Sequence, residues 1–131
     1  MKILVDTSIW SYAFCSNKPE FKSHVDTLIE IISNNNIIII GAIKQEILSG
    51  YSDMKQFQEL EKKMIAFENT TTRDEDYIQA ANFSNQCRIN GVQGSPVDFL
   101  ICAVAYRLEV KIYTADKDFF QYQKHIPIEL L

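Results

Sequence analysis

Ile3-Leu4-Val5-Asp6-Thr7-Ser8 stands almost at the start of the chain. Three branched apolar residues run without alternation and stop at an acid. A run of this kind, closed at once by polar residues, predicts a strand buried on both faces, as in a parallel sheet. Asp6 then falls just past the strand's carboxyl end. In open α/β sheets ligands bind at that rim, near the point where the strand order reverses.

Outward from this strand, Thr7 to Phe14 predicts a short helix, with Asp6 as its cap and Ile9, Trp10 and Phe14 as apolar anchors. Lys18-Pro19-Glu20 marks a loop. From Phe21, apolar Val25, Leu28, Ile29 and Ile32 recur at helical spacing up to the turn signal Asn34-Asn35-Asn36. Ile37 to Ile40, four consecutive isoleucines, predicts a second fully buried strand. Gly41-Ala42 turns into a helix carrying Ile43, Ile47 and Leu48, closed by Gly50, with Glu46 upon it.

Asp53 to Phe67 reads as a further helix with Phe57, Leu60 and Met64 on one face. Thr72-Arg73-Asp74-Glu75 has the spacing of a capping box and begins another, with Tyr77, Ile78, Ala81, Phe83 and Cys87 as its apolar positions and Gly91 as its stop. Ser95-Pro96-Val97-Asp98 opens the most hydrophobic helix, Phe99 to Tyr106. Lys111 to Thr114 is a third short strand, and Ile126 to Leu131 offers an edge strand. Strands and helices alternating in this way give an α/β fold, a parallel central sheet flanked by helices on both faces. The 131 residues fit one domain, residues 1–131.

Composition narrows the function classes. With 47% hydrophobic and 23% charged residues the chain is a globule rather than a disordered polymer. Met1-Lys2 leads straight into the first strand, leaving no room for a signal peptide, and no apolar run approaches the roughly 20 residues of a membrane span. Cys15, Cys87 and Cys102 are odd in number and lack C-x-x-C spacing, which argues against a disulfide framework or zinc site and for a cytoplasmic setting. Each is read as a small core residue. The net charge of −4 and pI near 5.1 argue against binding nucleic acid by bulk electrostatics. They argue less against a nuclease, since clustered carboxylates lower the pI and bound cations reverse the sign locally.

Four acids carry the functional reading: Asp6, Glu46, Asp98 and Asp116. Each has a local explanation. Asp6 and Asp116 can cap the turns that follow them, Asp98 completes an S-x-x-D capping box, and Glu46 can be a solvated helix residue. Together they read differently. Two follow predicted strands and two lie near the starts of helices packed on the sheet, so parallel topology brings all four to one rim. Carboxylates about 5 Å apart repel by on the order of 3 kcal/mol per pair at an effective dielectric near 20. A cation offsets that cost, and hard oxygen ligands without a histidine or cysteine cluster point to Mg²⁺ or Mn²⁺. Such a site activates water and steadies the charge of in-line attack on a phosphodiester.

A strand ending in Asp6-Thr7-Ser8, the helix Glu46 after the second strand, the buried helix opened by Asp98, and the late Thr114-x-Asp116-x-Asp118-Phe119 together resemble a PIN domain. VapC-type toxins of toxin–antitoxin pairs are the nearest variety. The resemblance spans Ile3 to Phe119 and lies in the ordered set rather than in any single motif. It implies that Asp6, Glu46, Asp98 and Asp116 are the family's acidic quartet. Thr7 and Thr114 are then its hydroxyl neighbours. Asp118 is the ambiguous member, a metal ligand or a cap of the last helix, with capping favoured. The resemblance further implies an endoribonuclease acting on structured RNA, often a tRNA, with Mg²⁺ or Mn²⁺ and metal-activated water. A homodimer and a small antitoxin covering the acidic site are also implied. Lys44, Arg88 and Lys117 lie near the expected rim and are candidates for phosphate contact, against surface solvation as the plainer role.

Other readings fail on particular residues. His24 and His125 have no local ligand partners. Ser8 lies in no G-x-S-x-G elbow, and Gly91-Val92-Gln93-Gly94-Ser95 lacks the G-K-[ST] of a P-loop. An aspartyl-nucleophile phosphatase would resemble an Asp-x-Asp, and the position two beyond Asp6 is Ser8. The alternative of another class is a catalytically silent PIN-like scaffold binding protein or RNA, against which the presence of all four acids argues. Cleavage of DNA flaps by the same chemistry is disfavoured because the short chain lacks room for a helical arch.

Overall fold

A computed structural model describes the backbone of the whole chain and every side chain except that of Cys15; the core role read for that cysteine lies outside the described residues. Strand β1 (Ile3–Val5) is central, with β2 (Ile37–Ile38) on one side and β3 (Lys111–Tyr113) on the other, all parallel. Ile3 pairs with Ile37 and with Lys111, and Leu4 with Ile38 and Ile112. All of β1 is buried, so both faces of the sheet are covered, as the unalternating apolar run requires. The chain leaves β1 toward β2 and later crosses back to β3. The order of strands therefore reverses beside the carboxyl end of β1, where Asp6 stands.

The helices are α1 (Thr7–Cys15), α2 (Lys22–Ser33), α3 (Gly41–Leu48), α4 (Met54–Ile65), α5 (Asp74–Ile89), α6 (Pro96–Leu108) and the short α7 (Asp118–Tyr122). Helix α6 is buried continuously from Asp98 to Ala105, the depth its composition implies. It packs most extensively on α5, through Ala80, Phe83 and Cys87. Trp10, fully buried, donates its indole N–H to the Val5 carbonyl at 3.2 Å and meets the Phe67 ring edge-on. This ties α1 to the end of β1.

Six details depart from the sequence reading. On α2 Ile29 is exposed and Ile31 is buried in its place, and on α5 Tyr77, Ile78 and Ala81 are exposed while Ala80 joins Phe83 and Cys87 inside, because packing rather than spacing alone sets which side of each helix meets the core. Only Ile37 and Ile38 enter the ladder. Ile39 and Ile40 are fully buried, but the Ile39 carbonyl accepts from Thr70 N–H at 2.8 Å, so a loop takes the place of strand pairing. Lys18-Pro19-Glu20 runs into a 3-10 turn, Pro19–Phe21, because proline presets its first φ. The box opening α5 lies one residue later than its spacing suggested, with Arg73 N–H donating to Asp76 at 2.9 Å. The tail gives a single bridge, Ile112 to Leu130, rather than a strand. Cys87 and Cys102 are both buried core residues, and burial pushes both thiols up, away from reactivity.

Candidate metal centre

Asp6 is 3% exposed and anchors the site. Its Oδ2 accepts from Ser8 N–H at 3.3 Å, Ser8 Oγ at 2.8 Å and Thr114 Oγ1 at 2.8 Å. The two hydroxyls are themselves held, accepting from the backbone N–H groups of Ala115 and Asp116, each at 3.0 Å. The capping reading of Asp6 is thus fulfilled entirely by Oδ2. The charge remains, and Oδ1 is the oxygen left to offer. The sequence reading weighs Ser8 only as a nucleophile and misses its orienting part, for which the Asp-x-Ser spacing of a turn that bonds back on its own acid is the signal. Thr7 Oγ1 is buried without a hydrogen-bond partner beside this acid.

Asp98 arrives from the first turn of α6, where Ser95 Oγ accepts its backbone N–H at 3.1 Å. The carboxylate is 9% exposed, and Oδ2 accepts from the Tyr122 hydroxyl at 2.7 Å. Burial pushes Asp98 up to about 6, and the like charges of Asp6 and Asp116 add to this; the bonds from Tyr122 and Ser95 oppose it. Burial and the neighbouring Asp98 also push the Tyr122 phenol up, which keeps it a donor.

Asp116 follows β3 and accepts Asp118 N–H on Oδ1 at 2.9 Å, closing the turn into α7. That is the capping role favoured for Asp118 from sequence, and Asp116 performs it. No side chain of α7's own entry residue Lys117 does so. The Asp118 carboxylate instead joins Asp98 and Asp116, each offering an oxygen within 4.8 Å of the others.

Asp6, Glu46, Asp98, Asp116 and Asp118 all line one open cleft of about 390 Å³, together with Thr7, Ser11 and Ser95. Glu46, exposed on α3, and Asp6 form walls outside the tightest trio. Chemically the donor set fits a hard divalent cation. It is all oxygen and several-fold negative, with no histidine or cysteine on the lining, and a buried hydroxyl at the wall has no other partner. Opposite oxygens on Mg²⁺ are about 4.2 Å apart. Only one pair of the three can be opposite and adjacent oxygens lie about 3 Å apart, so oxygens within 4.8 Å of one another must still draw in by up to ~2 Å to hold the ion.

The basic candidates fare unequally. Lys44 donates to the Phe67 carbonyl, and burial lowers its pKa, so its ammonium is spent on the fold. Arg88 bonds to Asn85 within its own helix. Lys117 is exposed beside Asp116 and Asp118. A slightly larger crevice, about 440 Å³, lies between the end of α6 and Pro127–Glu129. Its one cation, Arg107, is committed to Asp76 at 2.8 Å.

A model of the PIN domain family matches residues 3–125. No curated protein matches the sequence. Among solved structures, VapBC2 from Rickettsia felis, bound to a DNA fragment from its promoter, superposes with a TM-score of 0.77 at 17% identity, covering 100% of this chain and 98% of that one. FitAcB from Neisseria gonorrhoeae gives 0.74 at 16% identity over 98% and 96%. VapBC-1 from nontypeable Haemophilus influenzae gives 0.73 at 16% over 100% and 97%. The chain belongs to the PIN domain family.

Proposed function

We propose that this PIN-domain chain is a metal-dependent endoribonuclease and the toxin of a toxin–antitoxin pair. The observation that carries the reading is the cleft at the carboxyl ends of β1 and β3, where five carboxylates converge from four separate parts of the chain. Asp98, Asp116 and Asp118 would hold a Mg²⁺ or Mn²⁺ ion, with Asp6 Oδ1 and Glu46 completing the acidic ring. When bound, the ion supplies Lewis-acid stabilisation of the phosphoryl oxygens and lowers the pKa of attacking water.

The chain's own residues do the rest. Ser8 and Thr114 fix the orientation of Asp6, and the Ser95 cap fixes the entry of Asp98. Lys117, exposed at the rim, is placed to meet a phosphate of the RNA. The open, acid-walled cleft admits a strand rather than enclosing a small ligand. Likeness to the VapBC and FitAB proteins supports a small antitoxin as partner. A cationic side chain of that partner entering the carboxylate ring would form charge-assisted hydrogen bonds and compete with the metal. A homodimer is part of the same proposal. Among the described residues no helix is long and apolar enough to cross a membrane. Action in the cytoplasm is part of the same proposal.

The test is cleavage of a total tRNA pool with Mn²⁺, comparing wild type, wild type with chelator, and Asp6→Asn. Metal-dependent cutting that disappears in the variant is the expected result. Cutting that survives both chelation and Asp6→Asn would refute the acidic cleft as the site. Absence of cutting under all conditions would turn the reading toward a silent scaffold.

A further inference from the structure

We propose that Tyr122 is a positioning residue of this cleft: its phenol holds Asp98 so that only Oδ1 faces a divalent cation, and Gly94 is the residue that makes room for it. The inference rests on the metal-dependent reading and extends it to a side chain outside the acid set. Tyr122 is fully buried, with its ring against Phe99 (centroids 4.8 Å apart) and Phe119 (5.3 Å). Its hydroxyl lies 2.7 Å from Asp98 Oδ2, across 24 residues of sequence.

Asp98 already has its backbone fixed by the Ser95 cap. What remains free is rotation of the carboxyl group, and a single strong donor removes it. Asp6 follows the same arrangement, with Oδ2 occupied by Ser8 and Thr114. Asp116 follows it too, with Oδ1 bonded to Asp118 N–H. Three acids of the cleft therefore each have one oxygen committed to the protein and one to offer. An array of single, oriented oxygens suits a small cation that demands near-octahedral geometry better than freely rotating carboxylates do.

Gly94 gives the arrangement a second signature. A Cβ at this position would lie 2.2 Å from the Tyr122 hydroxyl oxygen and 2.6 Å from Cζ. The ring is packed on both sides and cannot retreat. The glycine is needed for close approach, and the loop that caps α6 through Ser95 also seats the phenol that orients Asp98.

The test is Mn²⁺ binding, read from the free-ion electron paramagnetic resonance signal, alongside thermal melts of each protein. Four chains are compared: wild type, Tyr122→Phe, Gly94→Ala and Tyr113→Phe. Tyr113 serves as the structural control, a buried phenol that donates to the His24 carbonyl at 3.1 Å. Tyr122→Phe removes one oxygen and keeps the ring, so the fold persists. Its Mn²⁺ affinity should fall about tenfold, the lower end for loss of a group that orients a metal ligand. Gly94→Ala should fall likewise, while Tyr113→Phe should bind as wild type does. Wild-type affinity in a folded Tyr122→Phe would overturn the positioning role and leave the metal reading intact. Equal weakening in Tyr113→Phe would also overturn it, since the effect would then be general. If the wild type takes up no Mn²⁺ at millimolar concentration, the metal reading fails and the role of Tyr122 fails with it.

Discussion

Removing the charge of Asp98 should stabilise the metal-free protein, and only above the pH at which that charge appears. Burial, with help from Asp6 and Asp116, pushes Asp98 up to about 6 in the folded state, from an ordinary 3.8. A carboxyl group raised on folding favours the native state when protonated. Its contribution is fully present below about 3.8 and is lost as pH rises through about 6. The interval corresponds to about 3 kcal/mol at ~1.4 kcal/mol per pH unit. Solvent reaching the open cleft reduces this to about 2 kcal/mol.

Asp98→Asn keeps the backbone bond to Ser95 and an oxygen to accept from Tyr122. It removes only the charge. Urea unfolding in chelator should therefore find Asp98→Asn more stable than wild type by about 2 kcal/mol at pH 7, shrinking to about a third of that at pH 4.5. With Mg²⁺ at about a hundred times its Kd the order should reverse, because binding to the folded wild type adds roughly 2.7 kcal/mol. A wild type more stable than Asp98→Asn at pH 7 without metal would refute the reasoning, since Asp98 would then be a structural acid. A difference independent of pH would refute it equally.

Arg107→Ala should destabilise the fold by about 3 kcal/mol in urea, since it leaves Asp76, 1% exposed, without the guanidinium that bonds both its oxygens; a loss below about 1 kcal/mol would contradict a buried pair. Burial pushes Asp76 up, but the Arg107 and Arg73 bonds hold it below the ordinary carboxylate range. The pair's stabilisation is therefore present above about 3.8 and disappears as pH falls through the lower folded value, so the Arg107→Ala deficit should vanish in strong acid. Ser8→Ala removes a donor to Asp6 and an acceptor for Ala115 N–H, and melts should show a loss of about 1–2 kcal/mol together with weaker Mn²⁺ binding; unchanged Mn²⁺ affinity would remove Ser8 from the site. Leu4→Ala, at the fully buried centre of β1, should cost roughly 2–5 kcal/mol by leaving a cavity, and a cost under about 1 kcal/mol would mean the sheet refills it.

By itself the sequence determined the elements whose signals are local. Ile3–Val5 read as a strand covered on both sides, because branched residues without alternation leave no face for water, and β1 is buried throughout. Ser95-Pro96-Val97-Asp98 carried its own cap, its proline and its first acid, and α6 begins there. The parallel topology implied by alternating elements was enough to send Asp6, Glu46, Asp98 and Asp116 toward one rim. The tertiary structure decided everything that depends on which atom faces which. It stopped the isoleucine ladder at Ile38 by giving the Ile39 carbonyl to Thr70. It brought the Asp118 carboxylate, just past the turn that Asp116 closes, to Asp98 in the acidic trio. It also brought the Tyr122 hydroxyl to Asp98, and Thr114 to Asp6 across 108 residues. The reason is physical. Strand and helix tendencies come from a residue and its near neighbours, whereas the orientation of a carboxylate comes from donors that only packing brings within 3 Å.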